Sequence, residues 1–282
     1  MALDKHFAKA GTKPVFSMAV LSVIVLGCLF CDFFIPKDPF YMDLYNANTA
    51  PCPQFWFGTD TMGRDIFSMV WYGGRISLFI GFLATVISTT IAIIYGAASG
   101  LAPDWLDALM MRMAEIFLSI PELLLIVLIQ AVLGDASILG ISFVIGITSW
   151  TSIAKVVRTE VRQIRNSGYV IAAQCMGAGF FHILRKHLVP NFMPSIMFMV
   201  VMNIRTAIIS ESTLGFMGIG LPAGIISWGS MLSLSERNML SGSWWIFLVP
   251  GSFMVAVLLC ITDIGSYLRS GSKIQDFLLS RL

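Results

Sequence analysis

Residues 77–98 run without a single Asp, Glu, Lys or Arg. A stretch of that kind matches the ~20 apolar residues an α-helix needs to cross a hydrocarbon core of about 30 Å. Inside lipid no water satisfies backbone polar groups, so such a run must bond to itself as helix. Five further stretches are predominantly apolar and near the same length, with at most two charged residues each: 15–34, 116–133, 138–153, 194–216 and 244–264. The chain of 282 residues is 57% apolar and only 12% charged. Soluble domains carry roughly a quarter charged residues, and no water-soluble core hides this much apolar surface. The expectation is one all-α integral membrane protein with about six transmembrane helices. It divides into residues 1–76 (N-terminal tail, first helix and external loop) and a core of five helices over 77–282.

Local chemistry refines the spans. Gly81, Thr85, Ser88, Thr89, Thr90, Gly96 and Gly100 make the second span a close-packing one, because small side chains let helix backbones approach. Pro121 predicts a break near the start of the third. The first stretch lacks a convincing small-residue cleavage site and is expected to remain as a span. Cys28, Cys31, Cys52, Cys175 and Cys260 are scattered in or beside apolar runs, so they read as packing rather than as a disulfide framework. A net charge of +2 excludes a strongly basic nucleic-acid binder.

Lys and Arg set the expected orientation. With the N-terminus inside, Lys5, Lys9, Lys13, Arg112, Lys155, Arg158, Arg162, Arg165, Arg185, Lys186, Arg269, Lys273 and Arg281 are cytoplasmic. Lys37, Arg64, Arg75 and Arg237 fall outside, and Arg205 lies within a span. The positive-inside rule therefore places both termini in the cytoplasm.

That topology puts a structured polar island, residues 168–191, on the cytoplasmic side. It reads as a short helix, a glycine turn from Gly177 to Gly179, and a second short helix stopped by Pro190. Defined structure of this kind suits docking; the plainer alternative is a basic loop lying on the lipid surface. In the outer loop, Thr59, Asp60 or Thr61 can N-cap the helix entering span two. Asp60, Arg64, Asp65 and Arg75 are either external docking groups or a set of caps and local ion pairs. Phe55, Trp56, Phe57, Trp71 and Tyr72 read as an interfacial belt. In the fifth span, Arg205 and Glu211 are six residues apart, which places them on different faces. Arg205 lines a pore, pairs with a partner subunit, or is a structural interface charge. His6, His182 and His187 form no intramembrane metal site, and the methionines read as pliable packing.

Ala172-Ala173, Gly177 and Leu188-Val189-Pro190-Asn191 resemble, in order and spacing, the coupling loop of permease subunits in bacterial ABC importers. Ile171 stands where that pattern has Glu, which favours shape and apolar packing over a charge contact. The likeness extends to 57–67 with 72–77, to 117–121, to 211–220 with 227–231, and to Trp244-Trp245 with Pro250-Gly251. Taken together, the chain resembles the C-type permease subunit of the oligopeptide/dipeptide/nickel importer family. The resemblance implies a type I importer permease fold with a cytoplasmic coupling helix in the cell membrane of a bacterium or archaeon. It also implies a second permease subunit as heterodimer partner, two ATP-binding subunits and an extracytoplasmic solute-binding protein. The cargo it implies is peptide first and nickel or a metal–chelator complex second.

No Gly-x-x-x-x-Gly-Lys-Ser/Thr phosphate loop occurs, so ATP and Mg are expected on partner subunits and no cofactor on this chain. The expected coupling residues are Tyr169, Ala172, Ala173, Gly177, Gly179, His187, Pro190 and Asn191. Val170, Ala173, Met176 and Gly177 would form the docking face, and Phe180, Phe181, Leu184 and Leu188 would anchor the second helix. Two other classes compete. A secondary transporter would show inverted repeats, and an intramembrane enzyme would carry a catalytic group within its spans; neither signal is visible.

Overall fold

A computed structural model of the chain describes residues 14–134, 137–222, 224–236 and 242–279, with the side chains of residues 174, 236 and 270–279 left aside. Lys5, His6, Lys9, Lys13, Arg237 and Arg281 lie outside the described residues, as does the side chain of Lys273. The described residues are helical, and two isolated bridges, Cys52 with Phe55 and Thr59 with Asp65, are the extended pairings among them.

In chain order the helices are α1 (Val15–Leu29), α2 (Ile66–Leu101), α3 (Asp104–Ser119), α4 (Glu122–Leu133), α5 (Ile138–Thr148) and α6 (Thr151–Ile164). They are followed by α7 (Gly168–Cys175), α8 (Phe180–Ile183), α9 (Val189–Phe216), α10 (Trp228–Glu236) and α11 (Trp245–Leu279). A π-helical turn, Leu184–Leu188, joins α8 to α9.

The six expected spans map onto these helices with corrections. Three helical stretches are long and apolar enough to cross a membrane: Ile66–Leu101, Phe180–Phe216 and Trp245–Arg269. The stretches expected at 116–133 and 138–153 are each a bent pair, α3 with α4 at 89° and α5 with α6 at 47°. Pro121 causes the first break. It has no N–H to donate and forces Ile120 into an extended conformation, φ −92° and ψ 130°. At the second bend, side-chain hydroxyls compete for the helix carbonyls: Thr148 bonds back to Val144 and Ile145, and Ser149 to Ile145 at 2.7 Å. The first span is also shorter than expected. α1 has 15 residues, about 22 Å of helix, because the chain tightens into a 3-10 turn at Cys31–Phe33. The division expected after residue 76 falls inside α2.

α2 is the central mast. It packs against α5, α6 and α9, and α9 packs in turn on α10 and α11. The expected close-packing role of its small residues is visible at Gly96, where a Cβ would come within 2.8 Å of the Val157 Cβ of α6. Three apolar clusters lie along this mast. One gathers Val157, Val161, Leu188 and Phe192, a second Ile80, Ile126, Val144 and Ala207, and a third Ile66, Trp228, Trp245 and Ile261. Two buried indoles donate to backbone carbonyls, Trp228 to Val70 at 2.9 Å and Trp245 to Thr59 at 3.0 Å.

The cap of α2 is Asp65 rather than Thr59, Asp60 or Thr61: its carboxylate accepts from the Ser68 backbone N–H at 3.0 Å. The bridge between Thr59 and Asp65 holds residues 60–64 as a tight turn outside the helix, so the cap position moves to the turn's end. Pro190 does not stop the second short helix. It lies at the start of α9, where a missing N–H is tolerated, and the π-turn carries helix through it, with the Val189 N–H reaching the Leu184 carbonyl.

Candidate functional site

Residues 168–191 form a helix, a glycine corner and a second helical stretch that runs into α9. The corner is closed by the Ala178 N–H on the Ala173 carbonyl at 3.0 Å, with Gly177 in the left-handed region at φ 80°. That is the ending in which glycine avoids the Cβ penalty. Gly179 leads into α8 with ordinary dihedrals, φ −71° and ψ 164°. Both glycines face open space. Asn191 donates its amide to the His187 carbonyl beside the π-turn. The rings of Tyr169 and His187 are 6.0 Å apart, and those of His182 and His187 are 6.2 Å apart.

Of the residues expected to form the docking face, Met176 is exposed and Val170 and Ala173 are not. Val170 and Ala173 point inward and are buried with Ile183, Leu184 and Leu188 in the core cluster that holds Val157 and Val161. Helical spacing put Val170 and Ala173 on one face correctly, but that face is the segment's own core. The outward surface is instead Tyr169 and Ile171, each 46% exposed, with Met176 at 82% and Phe181 at 72%. Phe181 was expected as an anchor; Phe180, Leu184 and Leu188 do pack against that core. Ala172 is exposed, as are Pro190 and Asn191.

A charge clamp lies at the same end of the bundle. Asp107 of α3 is buried and pairs with Arg158 and, at 3.4 Å, with Arg162, both on α6. The Ser99 hydroxyl donates to it as well. Arg162 also pairs with Asp104, and Arg165 donates to the Gly100 carbonyl at 3.2 Å. Orientation counting treated these arginines as a loose basic excess. Spacing puts Arg158 and Arg162 on one face of α6, with Arg165 at its C-cap, and Asp104 and Asp107 on one face of α3, but it does not say that the two faces meet.

Between the two helix bends lies a cavity of about 580 Å³. The wall from α9 is Met199, Met202, Asn203 and Thr206, at the i, i+3, i+4, i+7 spacing of one helical face. Ser149 and Glu122 face each other across the bends: the Ser149 Oγ lies 2.8 Å from the carboxylate and 2.7 Å from the Ile145 carbonyl, two acceptors that share its single proton. Arg205 is not part of this wall. Its Nη1 donates to the Thr262 hydroxyl of α11 at 3.2 Å, and no ion pair joins it to Glu211 among the described residues. Glu211 is buried, and the Ser212 hydroxyl bonds its carboxylate at 3.2 Å.

In the segment before α2, Arg64 is 6% exposed and pairs with Asp60 at 2.7 Å. Asp65 is occupied as the α2 cap. Arg75 bonds Asp32 at 2.6 Å and the Leu29 carbonyl at 3.1 Å, tying the end of α1 to α2. The geometry favours caps and local ion pairs for these four residues. Among the described residues no group of three His, Cys, Asp or Glu could hold a metal ion.

These helices, with two bent pairs around a central mast, are those of a multi-pass membrane protein. Residues 88–269 match the family described as the binding-protein-dependent transport system inner membrane component. The chain is 37% identical over 238 residues to the dipeptide transport system permease protein DppC of Bacillus subtilis, covering 84% of this chain and 74% of that one. It is 36% identical over 252 residues to the oligopeptide transport system permease protein OppC of the same organism, covering 89% and 82%. To OppC of Haemophilus influenzae it is 33% identical over 264 residues, covering 93% and 84%. The chain belongs to the binding-protein-dependent transport permease family, of which the resemblance seen in its motifs is a part.

Proposed function

We propose that this chain is a pore-forming subunit of an ATP-driven peptide importer in the cell membrane of a bacterium or archaeon. The supporting observation is the 168–191 segment: a helix, a glycine corner and a second helix, rooted in the core on one face and exposing Tyr169, Ile171, Met176 and Phe181 on the other. Such a compact, rooted projection suits a groove on a second protein. Relatives named for dipeptide and oligopeptide transport support peptide over nickel as cargo.

In this reading both termini are cytoplasmic, and two ATP-binding subunits with their ATP and Mg dock beneath, one of them on residues 168–191. Tyr169, Ala172, Gly177, Gly179 and His187 shape the contact, and Ala173, Pro190 and Asn191 hold it to α9. A second permease subunit completes the pore. An extracytoplasmic binding protein delivers cargo at the α2 N-terminal end, where Asp60, Arg64, Asp65 and Arg75 stiffen the receiving loop. The core from α2 onward carries translocation, and the segment before it anchors that core. ATP closure moves the docked segment as a rigid body, which α6 and α9 transmit to the cavity.

The test is reconstitution of the assembled importer in proteoliposomes with tri-alanine as cargo. Uptake should require ATP inside and binding protein outside, and the ATPases should co-purify with this chain. Uptake driven by an ion gradient without ATP would sink the reading.

A further inference from the structure

We propose that Glu122 contacts the cargo: its carboxylate receives the α-ammonium of the peptide as it passes between the two helix bends. The inference rests on the peptide-importer reading above and deepens it.

Glu122 is the one ionisable residue lining the cavity among the described residues. It lies beside Pro121, at the break between α3 and α4, near the middle of the bent pair 104–133. Ser149 occupies the corresponding place in the pair 138–164, its hydroxyl oxygen 2.8 Å from one oxygen of the carboxylate. No Lys or Arg pairs with Glu122 among the described residues, whereas Asp60, Asp104 and Asp107 each have an arginine. A carboxylate within an apolar bent pair and without a countercharge is unusual, and such groups mark substrate and ion paths.

The cargo class supplies what is missing. Peptides differ in their side chains, but each unblocked peptide carries one α-ammonium, a compact cation with three donors. A single carboxylate recognises that feature without selecting sequence. The rest of the lining is mostly apolar, with Phe117, Ile120, Leu125, Phe198, Met199 and Met202. The Thr206 hydroxyl is engaged with the Met202 carbonyl at 3.2 Å and the Asn203 amide with Ser88. Thr151 and Ser152 line the same cavity from the α6 side. The volume of about 580 Å³ falls in the range that encloses small ligands.

The test uses the complete importer in proteoliposomes with saturating binding protein, so that delivery affinity cancels. Uptake of tri-alanine is compared with uptake of N-acetyl-tri-alanine, which lacks the ammonium. The wild-type complex should move tri-alanine about tenfold faster, the worth of one charged hydrogen bond. Glu122→Gln, which keeps shape and removes charge, should bring the two rates within about twofold of each other. Ser149→Ala should narrow the ratio part of the way. An unchanged ratio in Glu122→Gln, with normal wild-type uptake, overturns the assignment and leaves the importer standing. A Glu122→Gln chain that no longer assembles with its partner also overturns it, assigning the charge to an interface. Wild-type complex that moves neither peptide removes the cargo reading itself.

Discussion

Replacing Phe181 by Ala isolates the outward face of the 168–191 segment. Phe181 is 72% exposed, so truncation leaves the segment's own packing nearly intact. Full burial of a Phe side chain contributes about 1.5–3 kcal/mol. Covering the exposed fraction on docking is therefore worth about 1–2 kcal/mol, or about 5- to 30-fold in affinity for the ATP-binding subunit. Met176 exposes as much, but ordering a flexible side chain takes back about 0.5–1.5 kcal/mol. The Met176→Ala effect should accordingly be the smaller. The control is Val170→Ala on the buried face, expected to cost about 2 kcal/mol of folding stability with the cavity it leaves. The assay immobilises the permease pair in nanodiscs, titrates purified ATP-binding subunit, and records thermal unfolding of each variant in parallel. Phe181→Ala should lower affinity without shifting the unfolding midpoint, and Val170→Ala should shift the midpoint. If Phe181→Ala binds the ATPase as tightly as the wild type, the outward face is not the docking surface.

The glycine corner and the charge clamp give two further tests. Gly177→Ala forces a side chain onto a left-handed residue and should cost about 1 kcal/mol with partial uncoupling of ATP hydrolysis from uptake. Gly179→Ala, with ordinary dihedrals and open space around it, should leave both unchanged; equal effects at the two sites would refute the backbone argument. Asp107→Asn leaves Arg158 facing a neutral amide, while Arg162 keeps Asp104 and both guanidinia stay partly solvated; it should cost about 1.5–3 kcal/mol, read as a lower unfolding midpoint of the solubilised complex. Lys replacing Arg112, whose ion pair with Glu115 is exposed, should change that midpoint little.

The spans were legible because burial in lipid imposes one rule on every residue of a run, and charge-free stretches such as 77–98 obey it visibly. The break at Pro121 was legible for the same local reason, since the missing N–H belongs to the residue itself. The continuation of helix through Pro190 was not, because it depends on a π-turn whose backbone shift no single residue encodes. Spacing placed Val170 and Ala173 on one helical face but could not say whether that face met the chain's own core or a partner. The Asp107 clamp joins residues about fifty positions apart in sequence, and pairing at that distance has no periodic signature. Glu122 carries no sequence signal beyond that of a first-turn acid favoured by the helix dipole; only the opposing bend at Ser149 gives it a cavity to face.

The two bends have different causes, and in the importer cycle proposed above that difference assigns them different parts. At Pro121 the helix lacks a donor covalently, and the residue before it is held extended, so the 89° break is set by the residue itself. At Ser149 the backbone N–H still reaches the Ile145 carbonyl at 3.2 Å, and the 47° bend is held by hydroxyls that can rotate away. The α6 arm beyond that softer bend packs against α2 and α9 and is clamped to α3 through Arg158 and Arg162. A push delivered through residues 168–191 therefore moves α6 as a unit and is absorbed at Ser149, while Pro121 holds the facing wall. The Ser149 proton is shared between the Ile145 carbonyl that holds the bend and the Glu122 carboxylate, so in the proposed cycle flexing that bend would change how the carboxylate is presented to the cavity.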